Sequence, residues 1–243
     1  MTRKDRAPRV RSVQPGRRQT EREHWTVNAI EGDTDPAGAL ALAAAELSAG
    51  RPEAAAALVE RHYPRHPCPR RHDSRARASE RAGPSAPRPP TTPTRRLALF
   101  RRDGFVDRYI GRRLVCPSAL CALADALPGA FPMREGHADS HRGHWDLFPT
   151  LDHVTARAAG AMHAEASWVT TSVTTRLEKG TRALEALGWR LLEPSADPSW
   201  DGLLGRYRDY AATRPRLAAL PGNRGWHDAA LEATPSPNAG RAA

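Results

Sequence analysis

Apolar positions recur at helical spacing in the first Ala- and Leu-rich stretch of the chain. Asp35-Pro36 has the form of a helix N-cap followed by proline at the first helical position, and Gly50 is placed to end that helix. Pro52 then begins a second Ala-rich helical pattern. The sequence therefore predicts a small helical hairpin within residues 24–66.

Beyond about residue 95, short stretches with helical and strand periods follow one another. Alternating positions in residues 105–115 predict a β-hairpin that turns at Ile110-Gly111. The apolar run that ends at Asp152-His153 and the β-branched run at 168–171 predict two further strands around a Gly- and Ala-rich loop. This mixture indicates an α+β fold. The helices predicted here begin near Leu97, Pro117, Ser172 and Trp200.

Two basic segments interrupt these patterns. Residues 1–23 hold eight Lys/Arg and almost no apolar side chains, and residues 67–94 combine many arginines with prolines. Such segments cannot bury enough apolar surface to offset the entropy lost on ordering, so we expect both to be disordered. The predicted organisation is a basic tail at 1–23, a hairpin at 24–66, a linker at 67–94, a folded domain at 95–214 and a flexible tail at 215–243.

The net charge of the chain favours a polyanionic partner. It is +10, with a pI near 10.6, which places nucleic acid ahead of a membrane surface. Lys4 and Lys179 are the only lysines, so almost all of the basic charge is arginine. Arginine suits phosphate because its planar fork makes paired hydrogen bonds, although GC-rich coding would produce the same bias. No recognition motif stands out, so we expect sequence-nonspecific binding to DNA.

Cysteine content and hydropathy indicate the compartment. Cys68, Cys116 and Cys121 form no C-x-x-C pair and are odd in number, which argues against a disulfide scaffold and against a cysteine-built zinc site. No apolar run approaches the roughly 20 residues needed to span a bilayer. The charged N-terminus has no apolar core behind it, so a secretory signal is not expected. We therefore predict a cytoplasmic protein with no membrane partner.

Candidate chemistry is densest in residues 147–182. The first predicted strand ends in Asp152-His153, the residues from Trp145 to Thr150 read Trp-Asp-Leu-Phe-Pro-Thr, and a second strand and a helix follow the loop. In these residues and this order the segment resembles the HNH endonuclease family of ββα-metal nucleases, and the likeness extends over about residues 100–215. The resemblance implies an HNH-like ββα core that hydrolyses DNA phosphodiester bonds with a divalent metal, Mg²⁺ or Mn²⁺.

The resemblance also implies roles for individual residues. His153 corresponds to the general base that activates water, and Asp152 corresponds to a metal ligand. Ser167 stands where the family has an Asn that fixes the loop, and Arg176 stands where it has a second metal ligand. Arginine cannot ligate a cation, so Arg176 would instead clamp a phosphate or lie on the helix surface. A capping acid and a packing histidine are the alternative interpretation of Asp152-His153.

Many members of the family also bind a structural zinc ion through two C-x-x-C pairs. All four of those positions are replaced together in this chain, which resembles a zinc-free branch of the family. We therefore expect no structural zinc. The replacing residues are Asp107, Ile110, Ser172 and Thr175.

Histidines cluster around the same segment. His141 and His144, spaced i, i+3, would meet on one face of a helix and could supply imidazole ligands to the metal. Solvated histidines in a polar loop are the alternative interpretation. The cluster comprises His137, His141, His144, His153 and His163.

Metal-dependent hydrolysis of DNA is thus the expected function. Two alternatives stay open at this point. The first is a catalytically inactive, DNA-binding relative that keeps the fold and the charge. The second is a protein-interaction module that binds its partner through the hairpin at residues 35–63.

Overall fold

A computed structural model places about two thirds of the chain. The predictions for the tail at 1–23, for His137 and for His163 fall outside the residues that it describes, as does most of the predicted linker. The linker ends earlier than predicted, because Thr92 caps a helix by accepting a hydrogen bond from the amide of Arg95 at 3.3 Å. The described residues are 35–63, 92–134, 140–154 and 167–233.

The described residues form α-helices and one antiparallel two-stranded sheet, which confirms a mixed α+β structure at this coarse level. Among these helices, none combines the length and apolar character needed to cross a membrane. Two short 3₁₀ turns lie at Glu185–Leu187 and Pro215–Ala219. In chain order the elements are α1 (Pro36–Ser48), α2 (Pro52–His62), α3 (Pro93–Arg102), α4 (Pro117–Ala126), α5 (Gly143–Asp146), β1 (Pro149–His153), β2 (Trp168–Ser172), α6 (Val173–Lys179), α7 (Leu204–Ala212) and α8 (Arg224–Glu232).

The helical hairpin forms from α1 and α2, and each helix starts at the predicted proline. Asp35 caps α1, since its carboxylate accepts hydrogen bonds from the amides of Ala37 and Gly38, each at 3.1 Å. The hairpin is not a separate unit, because it contributes to the same apolar core as α3, α4, α7 and α8. Docking of a partner protein on residues 35–63 stays a prediction.

Tyr63 joins the hairpin to the rest of the structure. Its ring is 1% exposed, and its hydroxyl donates a hydrogen bond to Asp146 of α5 at 3.0 Å. Asp146 also accepts a hydrogen bond from Thr174 of α6 at 2.6 Å. A single carboxylate therefore connects the hairpin to the helix that follows the sheet.

The prediction of a flexible tail from residue 215 is wrong for residues 215–233. A 3₁₀ turn and α8 form there, and the Trp226 ring stacks on Phe100 of α3 with their centroids 6.0 Å apart. The small residues that suggested a loose tail instead permit close packing. A Cβ added at Gly225 would lie 3.0 Å from the ring of Pro93, a closer contact than most Cβ atoms make, so the glycine lets α8 approach α3 closely.

The outer edge of β2 is covered by two buried aspartates in place of a third strand. The amide of Thr170 donates to Asp103, and the amide of Ser172 donates to Asp107, both at 2.8 Å. Both aspartates are fully buried. Asp107 lies within the predicted β-hairpin at 105–115, and Asp103 lies just before it. A single isolated bridge forms in this segment. These carboxylates fix β2 against the preceding part of the chain.

Candidate functional site at the end of the two-stranded sheet

The predicted site residues converge where β1 ends. The register of the sheet sets His153 opposite Trp168. Ser172 then caps α6 by accepting a hydrogen bond from the amide of Thr175 at 3.0 Å, so that the helix follows β2 directly. The predicted order of strand, loop, strand and helix is present, with loop residues 155–166 outside the described part. This order brings together Asp152, His153, Ser167 and Arg176.

The Asp152 carboxylate is paired with cations of the chain itself. Lys179 Nζ lies 2.9 Å from Asp152 Oδ2, and Arg176 Nε lies 3.8 Å from Oδ1. The Tyr109 hydroxyl donates a third contact to Oδ2 at 3.0 Å. Burial, followed by the charge of Asp152, raises the pKa of Tyr109, so the phenol keeps its proton and remains a donor. The negative charge of Asp152, the acid predicted to hold a metal, is thus already balanced by cations of the chain.

Lys179 is almost completely buried, with 2% of its surface exposed. Its ammonium also donates to the His153 carbonyl oxygen at 3.1 Å and lies 5.7 Å from the centre of the Tyr109 ring. Burying a charge is expensive unless the charge is paired and hydrogen-bonded, and Asp152 and the carbonyl satisfy both conditions. The last position of α6 is also favourable for a cation because helix dipoles leave negative potential there.

Both ring nitrogens of His153 lie within hydrogen-bond distance of a neighbour. The Trp168 indole N–H donates to Nε2 at 2.8 Å. An indole nitrogen can only donate, so Nε2 carries no proton and the neutral ring holds its proton on Nδ1. Nδ1 lies 3.3 Å from Ser167 Oγ. The lone pair that a general base would use is therefore engaged by Trp168.

Arg176 extends from the site toward solvent. Its Nη1 donates a hydrogen bond to Thr150 Oγ1 at 3.3 Å, and its side chain is 39% exposed. The contact with Asp152 at 3.8 Å is at the long end for an ion pair. Arg176 thus lies at the position where the resemblance implies a metal ligand. Its positively charged side chain is instead partly exposed at the surface.

His141 and His144 make their contacts in the core around α5. The His141 ring accepts a hydrogen bond from the amide of Gly143 at Nδ1, at 3.0 Å, and donates through Nε2 to the Tyr63 carbonyl oxygen at 2.9 Å. His144 packs on Phe131, with ring centroids 4.3 Å apart. The i, i+3 spacing does bring the two histidines together, because both rings pack on Phe131 in the core beside α5. The metal role predicted for His141 would require one of its hydrogen bonds to break.

Acidification is expected to weaken the fold through His144. Burial, followed by the charge of His141, lowers the pKa of His144 to about 4, and its Nε2 has no hydrogen-bond partner among the described residues. The unfolded chain binds this proton near pH 6.5, whereas the folded chain resists it until about pH 4. Stability should therefore fall as the pH decreases between these values, by on the order of 2–3 kcal/mol.

Urea unfolding at pH 7 and at pH 4.5 measures this effect. In the variant His144→Gln the side chain no longer titrates, so that part of the loss should disappear. If the variant loses as much stability as the wild type between the two pH values, His144 is not its source.

The four residues predicted to replace zinc-binding cysteines lie close together in this structure. Asp107 accepts a hydrogen bond from the Ser172 amide at 2.8 Å, and Ser172 Oγ donates to Thr175 Oγ1, also at 2.8 Å. Burial raises the pKa of Asp107. Ile110 packs beside a small apolar cluster that contains Tyr109. Hydrogen bonds and apolar packing therefore connect these positions.

As the described side chains are arranged, Asp152 is paired with cations of the chain and does not face an open divalent-metal site. Within the described ranges, no group of three or more His, Cys, Asp or Glu side chains is placed to hold one. Asp152 already binds the Lys179 ammonium at 2.9 Å, and Arg176 adds a second cation. A metal ion at Asp152 would have to displace the first and bind beside the second. The Asp152 carboxylate and the His153 carbonyl oxygen together bind an ammonium group.

Sequence reasoning missed Lys179, Tyr109 and the polar role of Trp168. A signal existed for Lys179, because it is one of two lysines in a chain that holds 37 lysines and arginines in total. Its spacing of three from Arg176 also sets both cations on one face of a helix. Nothing local marks Tyr109, which lies 43 residues before Asp152.

Comparison with known proteins does not assign the chain to a family. No family model matches it, and no curated protein or solved structure matches it significantly. The resemblance to HNH nucleases therefore rests on the residues and the arrangement described above.

Proposed function

We propose that this protein binds the phosphodiester backbone of nucleic acid through β1, β2 and α6, as an HNH-like protein that does not cut its ligand. The pairing of Asp152 with Lys179 and Arg176 carries the proposal. In these contacts one carboxylate faces two cationic groups, an ammonium and a guanidinium. That arrangement favours an anion over a further cation beside Asp152.

Arg176 is the group that would meet a phosphate. Its side chain is 39% exposed, whereas that of Lys179 is 2% exposed. A guanidinium can make two parallel hydrogen bonds to phosphate oxygens, which are stronger than its present contact with Asp152 at 3.8 Å. Phosphate binding at Arg176 would leave the pair between Asp152 and Lys179 intact.

The state of His153 supports binding without cleavage. Its Nε2 already accepts the Trp168 indole N–H at 2.8 Å, and its Nδ1 faces Ser167. A general base must lie within hydrogen-bond reach of the water that it activates and must have a lone pair to receive the proton. Cleavage would therefore require His153 to break its bond with Trp168.

Arg176→Gln is expected to weaken binding to duplex DNA and to reduce the slope of log K against log salt concentration by about one, because one phosphate contact is lost. Fluorescence anisotropy with a labelled duplex at several salt concentrations measures the slope. The matched control is Arg51→Gln, which removes an exposed arginine already paired with Glu46 and should leave the slope unchanged. Equal slopes for wild type and Arg176→Gln would refute the phosphate contact.

Metal-dependent hydrolysis is a second candidate, because Asp152, His153 and Arg176 do lie together at the end of the sheet. A plasmid-nicking assay with Mg²⁺ and with Mn²⁺ separates the two functions. We expect no nicking. Nicking by the wild type that disappears in His153→Ala would establish the hydrolase and refute binding without cleavage. In that case Arg176→Asn should increase nicking, since it replaces a cation with an oxygen donor.

A further inference from the structure

We infer that Lys179 is a built-in substitute for a bound metal ion, and that its ammonium fills a cation site made of oxygen donors. The Asp152 carboxylate and the His153 carbonyl oxygen contact the ammonium directly, at 2.9 and 3.1 Å. The Tyr109 hydroxyl contacts the same carboxylate oxygen at 3.0 Å. This inference concerns the cation alone and does not depend on nucleic-acid binding.

The two oxygen atoms that contact the ammonium, a carboxylate and a carbonyl, are hard ligands. Mg²⁺, Mn²⁺ and Ca²⁺ prefer such oxygens over nitrogen or sulfur, so these ions would compete for the same position if the ammonium were removed. Asp152 and His153 end β1, whereas Lys179 ends α6, so this contact depends on how α6 packs against β1. The Tyr109 hydroxyl contacts the carboxylate rather than the ammonium and holds that carboxylate in place.

The burial of Lys179 distinguishes this arrangement from a surface ion pair. A lysine on the surface keeps its ammonium in water, but Lys179 is 2% exposed. A cation attached to the chain also has a very high effective concentration at its own site, so a free ion must compete against an intramolecular partner. The wild-type site should consequently exclude divalent ions at millimolar concentration.

Shortening the lysine should open the site. In Lys179→Ala the two oxygen donors keep their places at the end of β1, and the ammonium is gone. Removing a neighbouring positive charge should tighten Mn²⁺ binding by at least about tenfold relative to the wild type. Lys179→Met removes the charge but keeps most of the buried side-chain volume, so it should bind Mn²⁺ less tightly than Lys179→Ala.

The experiment uses the full chain and Mn²⁺ as the probe. Electron paramagnetic resonance measures the concentration of free Mn²⁺ during a titration. Thermal unfolding with and without Mn²⁺ reports stabilisation of the folded state. We expect saturable binding and a higher unfolding midpoint in Lys179→Ala, with neither in the double variant Lys179→Ala/Asp152→Asn. Arg190→Ala, which removes an exposed arginine, is the surface-charge control and should behave as the wild type.

Two results would overturn the inference. One is Mn²⁺ affinity in Lys179→Ala no higher than in the wild type. The other is tight, saturable Mn²⁺ binding by the wild type that is lost in Asp152→Asn, and this comparison needs no Lys179 variant to fold. DNA anisotropy on the same proteins reports separately on the proposed function, so failure of one idea does not imply failure of the other.

Discussion

Asp103→Ala is expected to lower the free energy of unfolding by about 3–5 kcal/mol, the usual loss when one partner of a buried ion pair is removed. Asp103 is fully buried, and Arg108 Nη1 lies 3.0 Å from its Oδ1. Arg108 is itself only 7% exposed. Alanine would leave a buried guanidinium without its carboxylate and would also remove the acceptor of the Thr170 amide.

The effect of Asp103→Ala should depend on pH. Burial raises the pKa of Asp103, but hydrogen bonds from Arg102 and Thr170 outweigh burial and hold the pKa below its usual range. A carboxyl group with a lowered pKa stabilises the folded state above its unfolded pKa of about 4, and this contribution is lost as the pH falls. The variant should therefore lose less stability, relative to the wild type, at pH 3 than at pH 7.

Urea unfolding at the two pH values tests both statements. Asp228→Ala, which removes an exposed acid of α8, is the matched control and should change stability by no more than about 0.5 kcal/mol. A similarly small change in Asp103→Ala would show that the buried pair with Arg108 contributes little.

Asp107→Ala is expected to lower the free energy of unfolding by about 3 kcal/mol or more, since each buried donor left without an acceptor costs about 1–3 kcal/mol. The Asp107 carboxylate accepts hydrogen bonds from the Ser172 amide at 2.8 Å, the Tyr109 amide at 3.0 Å and the Thr171 hydroxyl at 3.1 Å. Asp107→Asn keeps one acceptor oxygen in place of two and should lose less.

Urea unfolding of the two Asp107 variants, with hydrogen exchange at the Ser172 amide, provides the measurement. The Ser172 amide should exchange faster in Asp107→Ala. If asparagine destabilises the protein as much as alanine, one acceptor oxygen does not preserve the hydrogen bonds that Asp107 makes. Burial raises the pKa of Asp107, so stability from this group declines as the pH rises through its folded pKa, opposite to Asp103.

Elements with local signals could be predicted from the sequence. Proline at the first helical position marks the starts of α1, α2 and α4 correctly, because its fixed φ and missing N–H suit that position alone within a helix. The β-branched run from Trp168 does form a strand, and it pairs with the strand that ends at His153. Each of these predictions depends only on residues that are close together in the sequence.

The electrostatic character of the site could not be predicted in the same way. Whether Asp152 would meet a metal or a lysine depends on how α6 packs against β1, and Lys179 lies 27 residues further along the chain. The i, i+3 spacing of His141 and His144 indicated a shared face but not that the face is buried. Similarly, small residues after position 215 are compatible with both a loose tail and a tightly packed helix, and packing decided between them.

The aspartates along the outer edge of β2 also bear on self-association. The segment from Trp168 to Val173 has high β propensity, no charge and no proline, which is the composition of segments that add to strands of other molecules and form aggregates. A strand edge invites such pairing through its unpaired amide groups. At this edge the amides of Thr170 and Ser172 already bind Asp103 and Asp107. An incoming chain would have to displace two buried carboxylates before it could pair with this edge. These side chains therefore oppose aggregation through β2 as well as unfolding.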